Sequence, residues 1–175
     1  MHKDLLTFYS DYFRGAFDGS FKEAAERKLS LPDERVDIFD IFNQFIYTRS
    51  LDEHDLDCHE LIELWLFGDK FLVPWIQNAA MDALEYLSIN DCPGYEVRAI
   101  WKRTMPSAPL RKFILDLVVY RCDIDAVMDS AEVWSHQALV DLTKAFAHKE
   151  VTDHEGKLPD RDKCYYHVNA EGEKC

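Results

Sequence analysis

Apolar residues recur at helical spacing through almost the whole chain, and a single short run alternates as a strand would. This pattern limits the fold more than any other property of the sequence. From Leu5, the positions Tyr9, Tyr12 and Phe13 follow at i+4, i+7 and i+8, the spacing of one helical face. Ser10 interrupts this series. Its hydroxyl can accept an otherwise unpaired backbone N–H, so two short helices are expected to meet there. Asp18-Gly19 closes the second, because Gly tolerates the left-handed conformation that helix ends often need. In "KLSLPD", Leu29 and Leu31 point one way and Ser30 the other, a short strand signature that Pro32 ends.

Helical patterns then resume. Val36 to Tyr47 carries Phe39, Phe42, Phe45 and Ile46 on one side. Asp57 with Glu60 resembles a capping box, and the helix it opens has Leu61, Leu64, Trp65, Gly68 and Phe71/Leu72 on its inner face. Gly68 costs about 1 kcal/mol in helix propensity relative to Ala. Either a close helix crossing offsets that cost or the position merely tolerates it. Pro74 suits the first turn of the next helix, where Ile76, Ala80, Ala83, Leu84 and Leu87 repeat. After "NDCPG" come three further patterns: Val97 to Thr104, Leu110 to Arg121, and a helix capped by Ser135 with Ala138, Leu139, Leu142 and Phe146 inside. Beyond His148 the periodicity fades into a polar, Gly/Pro-punctuated stretch. The expected fold is α+β and predominantly α, with a residual short strand near Lys28–Leu31 and additional helices after it. The expected division is residues 1–90, a helical extension at 91–147 and a flexible tail at 148–175.

Charge narrows the function. The 175 residues include 33 Asp and Glu against 20 Lys and Arg, a formal charge of −13. Such a surface repels nucleic-acid phosphates and anionic membranes, so neither is expected as a partner. No apolar run reaches membrane-spanning length. The five cysteines are an odd number, and three lie in or beside helical patterns. That usage fits reduced thiols in a cytoplasmic or nuclear protein.

Catalytic motifs are absent from the sequence. There is no Gly-rich phosphate loop and no Gly-x-Ser-x-Gly. His59-Glu60 lacks a second His at the spacing of a metalloprotease helix. No enzymatic activity is expected. One chemical suggestion comes from the tail, where Cys164, His167 and Cys175 stand at C-x2-H-x7-C. Thiolate and imidazole are zinc ligands, and a closed site needs four. His148, His154, Asp162 or a second chain can supply the fourth. Zinc at this tail is one reading, and an unstructured tail with incidental Cys and His is the other.

The first half of the chain resembles the BTB/POZ domain. "HKDLL", "YSDYFRGAF", "KLSLPDE", "FDIFNQFIYTRSL" and "LIELWLFGDKFLVPWIQNAAMDAL" follow one another in the family's order, in the variant common among fungal proteins. The resemblance covers roughly Met1 to Leu87. It implies that Tyr12 and Phe13 are core, and that Leu29–Leu31 belongs to a small sheet whose other strands come from a hairpin before the His-Lys helix. That hairpin has no counterpart ahead of His2, so the domain is expected to be N-terminally incomplete: a fragment, an incomplete gene model or a shortened form.

The resemblance further implies a protein-interaction module that joins a second copy or a BTB paralogue, or recruits a cullin-3 ubiquitin ligase scaffold as a substrate adaptor. It places the partner surface around Phe42, Phe45, Tyr47, His59, Leu61 and Trp65. The alternatives are a small zinc-binding protein that uses its tail, and a transcriptional co-regulator that acts through partners.

Overall fold

The structure is a computed structural model and describes residues 2–19, 21–26, 28–51, 55–87, 97–129, 131–150, 158–162 and 164–169. The chain divides into two compact units, Met1–Asp82 and Ala83–Cys175.

In the first unit, α1 (Lys3–Tyr9) and α2 (Asp11–Asp18) meet at Ser10. The Ser10 hydroxyl caps α2 by accepting from Phe13 N–H at 3.1 Å. It also donates to the Phe71 carbonyl at 2.6 Å, 61 residues away in sequence, so one buried oxygen both starts a helix and fastens it to the domain. α2 ends at Gly19, whose φ of −81° is an ordinary extended value. Glycine is required here by contact and not by handedness: a Cβ would lie 2.7 Å from the Gly15 carbonyl. The charged run then forms a one-turn helix, α3 (Lys22–Glu26), without an apolar stripe to announce it.

Lys28–Leu31 is not a strand, and the described residues contain none. Among them no hydrogen bond uses the Leu29, Ser30 or Leu31 N–H. A strand exists by pairing, and nothing among the described residues lies beside this one to pair with. The alternation survives without the ladder: Leu29 and Leu31 are half-buried and Ser30 is exposed.

α4 (Val36–Thr48) buries Ile38, Ile41, Phe42, Phe45 and Ile46. α5 (Cys58–Lys70) opens on the expected capping box, with the Asp57 carboxylate accepting from Glu60 N–H and the Glu60 carboxylate from Asp57 N–H. α6 (Pro74–Leu87) follows a tight turn. Gly68 lies where α5 crosses the start of α6. A Cβ there would meet Gln77 Cγ at 2.6 Å and Ile76 Cγ2 at 2.7 Å, so a close crossing requires this glycine. The core is aromatic. Phe13 stacks on Phe71 (centroids 5.3 Å apart, 7° between planes) and on Phe42 at 6.3 Å, while Phe67 tilts onto both Phe42 and Phe71. Offset and tilted pairs at these separations add to the burial energy of each ring.

The second unit begins in α6 and continues through α7 (Val97–Arg103), α8 (Pro109–Arg121), α9 (Ile124–Asp129), a 3-10 turn at Ala131–Val133 and α10 (His136–Ala147), capped by Ser135 as expected. Val97, Ile100, Leu110, Phe113, Ile114, Leu117, Ala138 and Leu142 are buried there. The described part of the expected flexible tail sits on α8. Tyr166 is 3% exposed, packs edge-on against Phe113 at 5.2 Å, and donates its hydroxyl to Asp116 at 2.7 Å.

Candidate functional site

Most large apolar side chains are buried, so the exceptions are informative. In the first unit Phe8 and Trp75 are 64% and 53% exposed, Leu72 54% and Tyr12 40%. Contacts link them. Phe8 lies against Tyr9, and the Arg49 guanidinium stacks between Tyr9 (4.9 Å) and Trp75 (4.6 Å). Tyr12 packs edge-on against Phe71, the residue before Leu72. The Ser10–Phe71 hydrogen bond lies beneath this set.

The backbone is strained at two of these positions. Among the described residues, Arg49 (φ 60°) and Leu72 (φ 53°) are the two non-glycine residues with positive φ, a conformation that costs an L-residue about 1–2 kcal/mol. Arg49 ends α4 in that conformation, its N–H returning to the Phe45 carbonyl at 2.8 Å. From there its side chain reaches both rings. Leu72 stands in the turn just after α5, and its side chain is held out in water. Exposed Trp, Tyr and Arg side chains are the types that carry most energy at protein interfaces.

An apolar cavity of about 660 Å³ also opens in the first unit, lined by Leu6, Phe13, Phe17, Leu29, Leu31 and Phe39 among others. Among the described residues Lys3 is its one ionisable side chain, and that amine is bound to Asp18 at 2.8 Å and to the Phe17 carbonyl at 3.3 Å. The described lining offers neither nucleophile nor acid–base pair; it offers room for apolar side chains.

The partner face expected from the sequence is largely core. Phe42, Phe45, Leu61 and Trp65 are 0–3% exposed and cannot meet a partner without unfolding. Tyr47 does reach solvent, at 49% exposure, and its hydroxyl accepts from the His2 N–H at 3.1 Å. His59 is half-buried, with Nε2 2.9 Å from Arg35 Nη1. Tyr12, expected in the core with Phe13, lies at the surface. The residues that replace this face were partly legible. Trp75 stands one position before the Ile76–Ala80–Leu84 stripe, so it points away from it. Arg49 had no such signal, and Leu72, expected on the inner face beside Phe71, lies in water instead: Phe71 is buried, but Leu72 turns outward with φ 53°, because the turns that set both conformations close only in the folded domain.

Two cysteines differ from the expectation of reduced thiols. Cys122, at the end of α8, and Cys164 take part in disulfide bonds, while Cys58 is a free thiol. Sequence spacing does not show which sulfurs the tertiary structure brings together. Of the three tail residues expected to favour zinc, Cys164 is therefore not a thiolate here, His167 donates its backbone N–H to the Cys164 carbonyl at 3.0 Å, and Cys175 lies outside the described residues, as do Cys92 and His154. Among the described residues no three His, Cys, Asp or Glu side chains converge on a metal position.

The helical hairpins, their order and their aromatic core define a class. Residues 1–87 match the BTB/POZ domain and are one; this stretch is accordingly a protein-interaction module. Two relatives come from Arabidopsis thaliana. The arm repeat protein interacting with ABF2 is 37% identical over 51 residues, which is 29% of this chain and 7% of that protein. Armadillo BTB Arabidopsis protein 1 is 29% identical over 77 residues, 44% of this chain and 10% of that protein. The matched stretches thus span a tenth or less of these relatives. No solved structure matches the chain.

Proposed function

We propose that the BTB/POZ domain of this chain works as a docking adaptor without chemistry of its own, and that Trp75, Arg49, Tyr12, Phe8 and Leu72 are its contact surface. The observation that carries the reading is the Tyr9–Arg49–Trp75 stack, held at the surface by a left-handed arginine. A cation between two rings is preorganised, so little side-chain freedom is lost on binding. Its partner in this reading is a second BTB domain or the cullin-3 scaffold of a ubiquitin ligase, with the second unit presenting what is to be delivered. One relative is an arm repeat protein named for its interaction with ABF2 and the other is an armadillo BTB protein, which agrees with an adaptor role.

The test measures self-association by sedimentation and capture of the cullin-3 N-terminal region by biolayer interferometry. Trp75→Ala is expected to weaken whichever interaction is found by about 2 kcal/mol, close to thirtyfold, while the melting temperature stays near that of the parent because the ring is half in water. Absence of both interactions, or equal binding by the variant, would overturn the proposal.

A further inference from the structure

The second unit holds a cleft of about 380 Å³ between the Pro106–Ala108 turn, the start of α8 and the end of α10. Its charge runs against that of the chain. Arg111, Lys112, Lys144 and His148 line it, with Asp141 as the one carboxylate among the described lining residues, in a protein whose net charge is −13. Asp141 is already committed: Oδ2 accepts from Trp101 Nε1 at 2.9 Å, and Oδ1 accepts from Gln137 at 2.9 Å and lies 3.8 Å from Lys144 Nζ.

Arg111 is the unusual member. It is 5% exposed and lies over the Trp101 ring at 5.1 Å. Nε donates to Thr104 Oγ1 at 2.8 Å, and Nη2 donates to the Trp101 carbonyl at 2.7 Å and to the Thr104 carbonyl. These acceptors are neutral. The remaining nitrogen, Nη1, has no hydrogen-bond partner among the described residues. Burying a guanidinium without a direct carboxylate partner is costly, and desolvation pulls the Arg111 pKa below its usual value. The positive end of the 13-residue α8 adds to the same field. Lys112 is held aside over the Tyr165 ring at 3.2 Å, with Asp116 one turn on, so among the described lining residues Arg111 and Lys144, the latter mostly in water and only loosely paired with Asp141, are the Arg and Lys side chains placed to meet a ligand.

We infer that this cleft binds an oxyanion, a carboxylate or a phosphate, carried on a peptide segment of a partner protein, with Arg111 Nη1 as the inner donor and Lys144 at the rim. A planar guanidinium fixed by three protein acceptors presents its free N–H groups in one direction, and an anion there completes its hydrogen bonding. The site uses residues of the second unit alone, shares none with the aromatic surface of the BTB/POZ domain, and does not depend on it.

The experiment titrates the full chain into three fluorescently labelled peptides of one sequence, with serine, glutamate or phosphoserine at the centre, and follows anisotropy. Glutamate or phosphoserine is expected to bind at least about tenfold more tightly than serine. The tighter of the two identifies carboxylate or phosphate as the natural source. Lys144→Glu is expected to abolish the preference without changing the melting temperature, since that side chain is mostly in water. Arg111→Lys tests the inner donor where it folds. Equal binding of all three peptides, no binding of any, or an unchanged preference in Lys144→Glu overturns the inference. Trp75→Ala is expected to leave it intact, which separates this outcome from the adaptor reading.

Discussion

Gly68→Ala sets two opposing effects against each other, and the structure says which is larger. Alanine in a helix interior gains about 1 kcal/mol over glycine, so propensity alone predicts a stabilised protein. The added methyl would lie 2.6 Å from Gln77 Cγ, 2.7 Å from Ile76 Cγ2 and 3.2 Å from the Val73 carbonyl. Comfortable contacts between such atoms begin near 3.5 Å. Neither carbon is the far end of a flexible chain, and both residues are buried, at 3% and 0% exposure. α6 must therefore move off α5, or both side chains must leave their rotamers and stretch the Gln77–Asp69 hydrogen bond, already 3.4 Å long.

Overpacking of this kind costs typically about 1–3 kcal/mol, and the local turn has no slack, because Val73 N–H is bound to the Gly68 carbonyl at 2.8 Å. The net expectation is a loss of about 1–2 kcal/mol. For a unit of this size each kcal/mol moves the midpoint by about 4–8 °C. Urea denaturation followed by tryptophan fluorescence reads the change directly. Ile76→Ala supplies the control, since it removes the clashing methyl: alone it should cost about 2–5 kcal/mol, and in the Gly68→Ala background clearly less. A Gly68→Ala protein more stable than its parent, with no coupling to Ile76, would refute the close crossing and leave the glycine as a tolerated accident.

Two further perturbations probe other parts of the architecture. Ser10→Ala removes the cap of α2 and the donor to the Phe71 carbonyl together, and should cost about 2 kcal/mol, seen as a lower midpoint without a change in denaturant slope. Asp116→Asn should alter the pH dependence of stability: burial holds this carboxyl above its usual pKa, against the opposing hydrogen bond from Tyr166. The folded state therefore gains the proton more readily than the unfolded one. Asp116 is neutral in both states below the ordinary carboxylate range, about pH 4, and destabilises as pH rises from there through its folded pKa. The variant should match the parent at low pH and gain on it as pH rises across that window; a constant difference at all pH values would contradict the assignment.

What the sequence determined by itself was local. The break at Ser10, the Asp57–Glu60 box, Pro74 at a first turn and the Ser135 cap each depend on groups within about four residues, so they could be read without knowing the fold. The long apolar stripes of α4, α5, α6, α8 and α10 were legible for the same reason, whereas one-turn α3 and six-residue α9 are too short to show a stripe. The tertiary structure decided everything that depends on distant segments. It put Phe42 and Trp65 inside and Tyr12 and Trp75 outside. It left Leu29–Leu31 unpaired, seated Tyr166 on Phe113, and turned Arg111 inward to a cleft whose acceptors come from another helix. Periodicity says that a side chain faces some neighbour. Whether that neighbour is protein or water is a sum over the whole packed chain, and no window of sequence contains it.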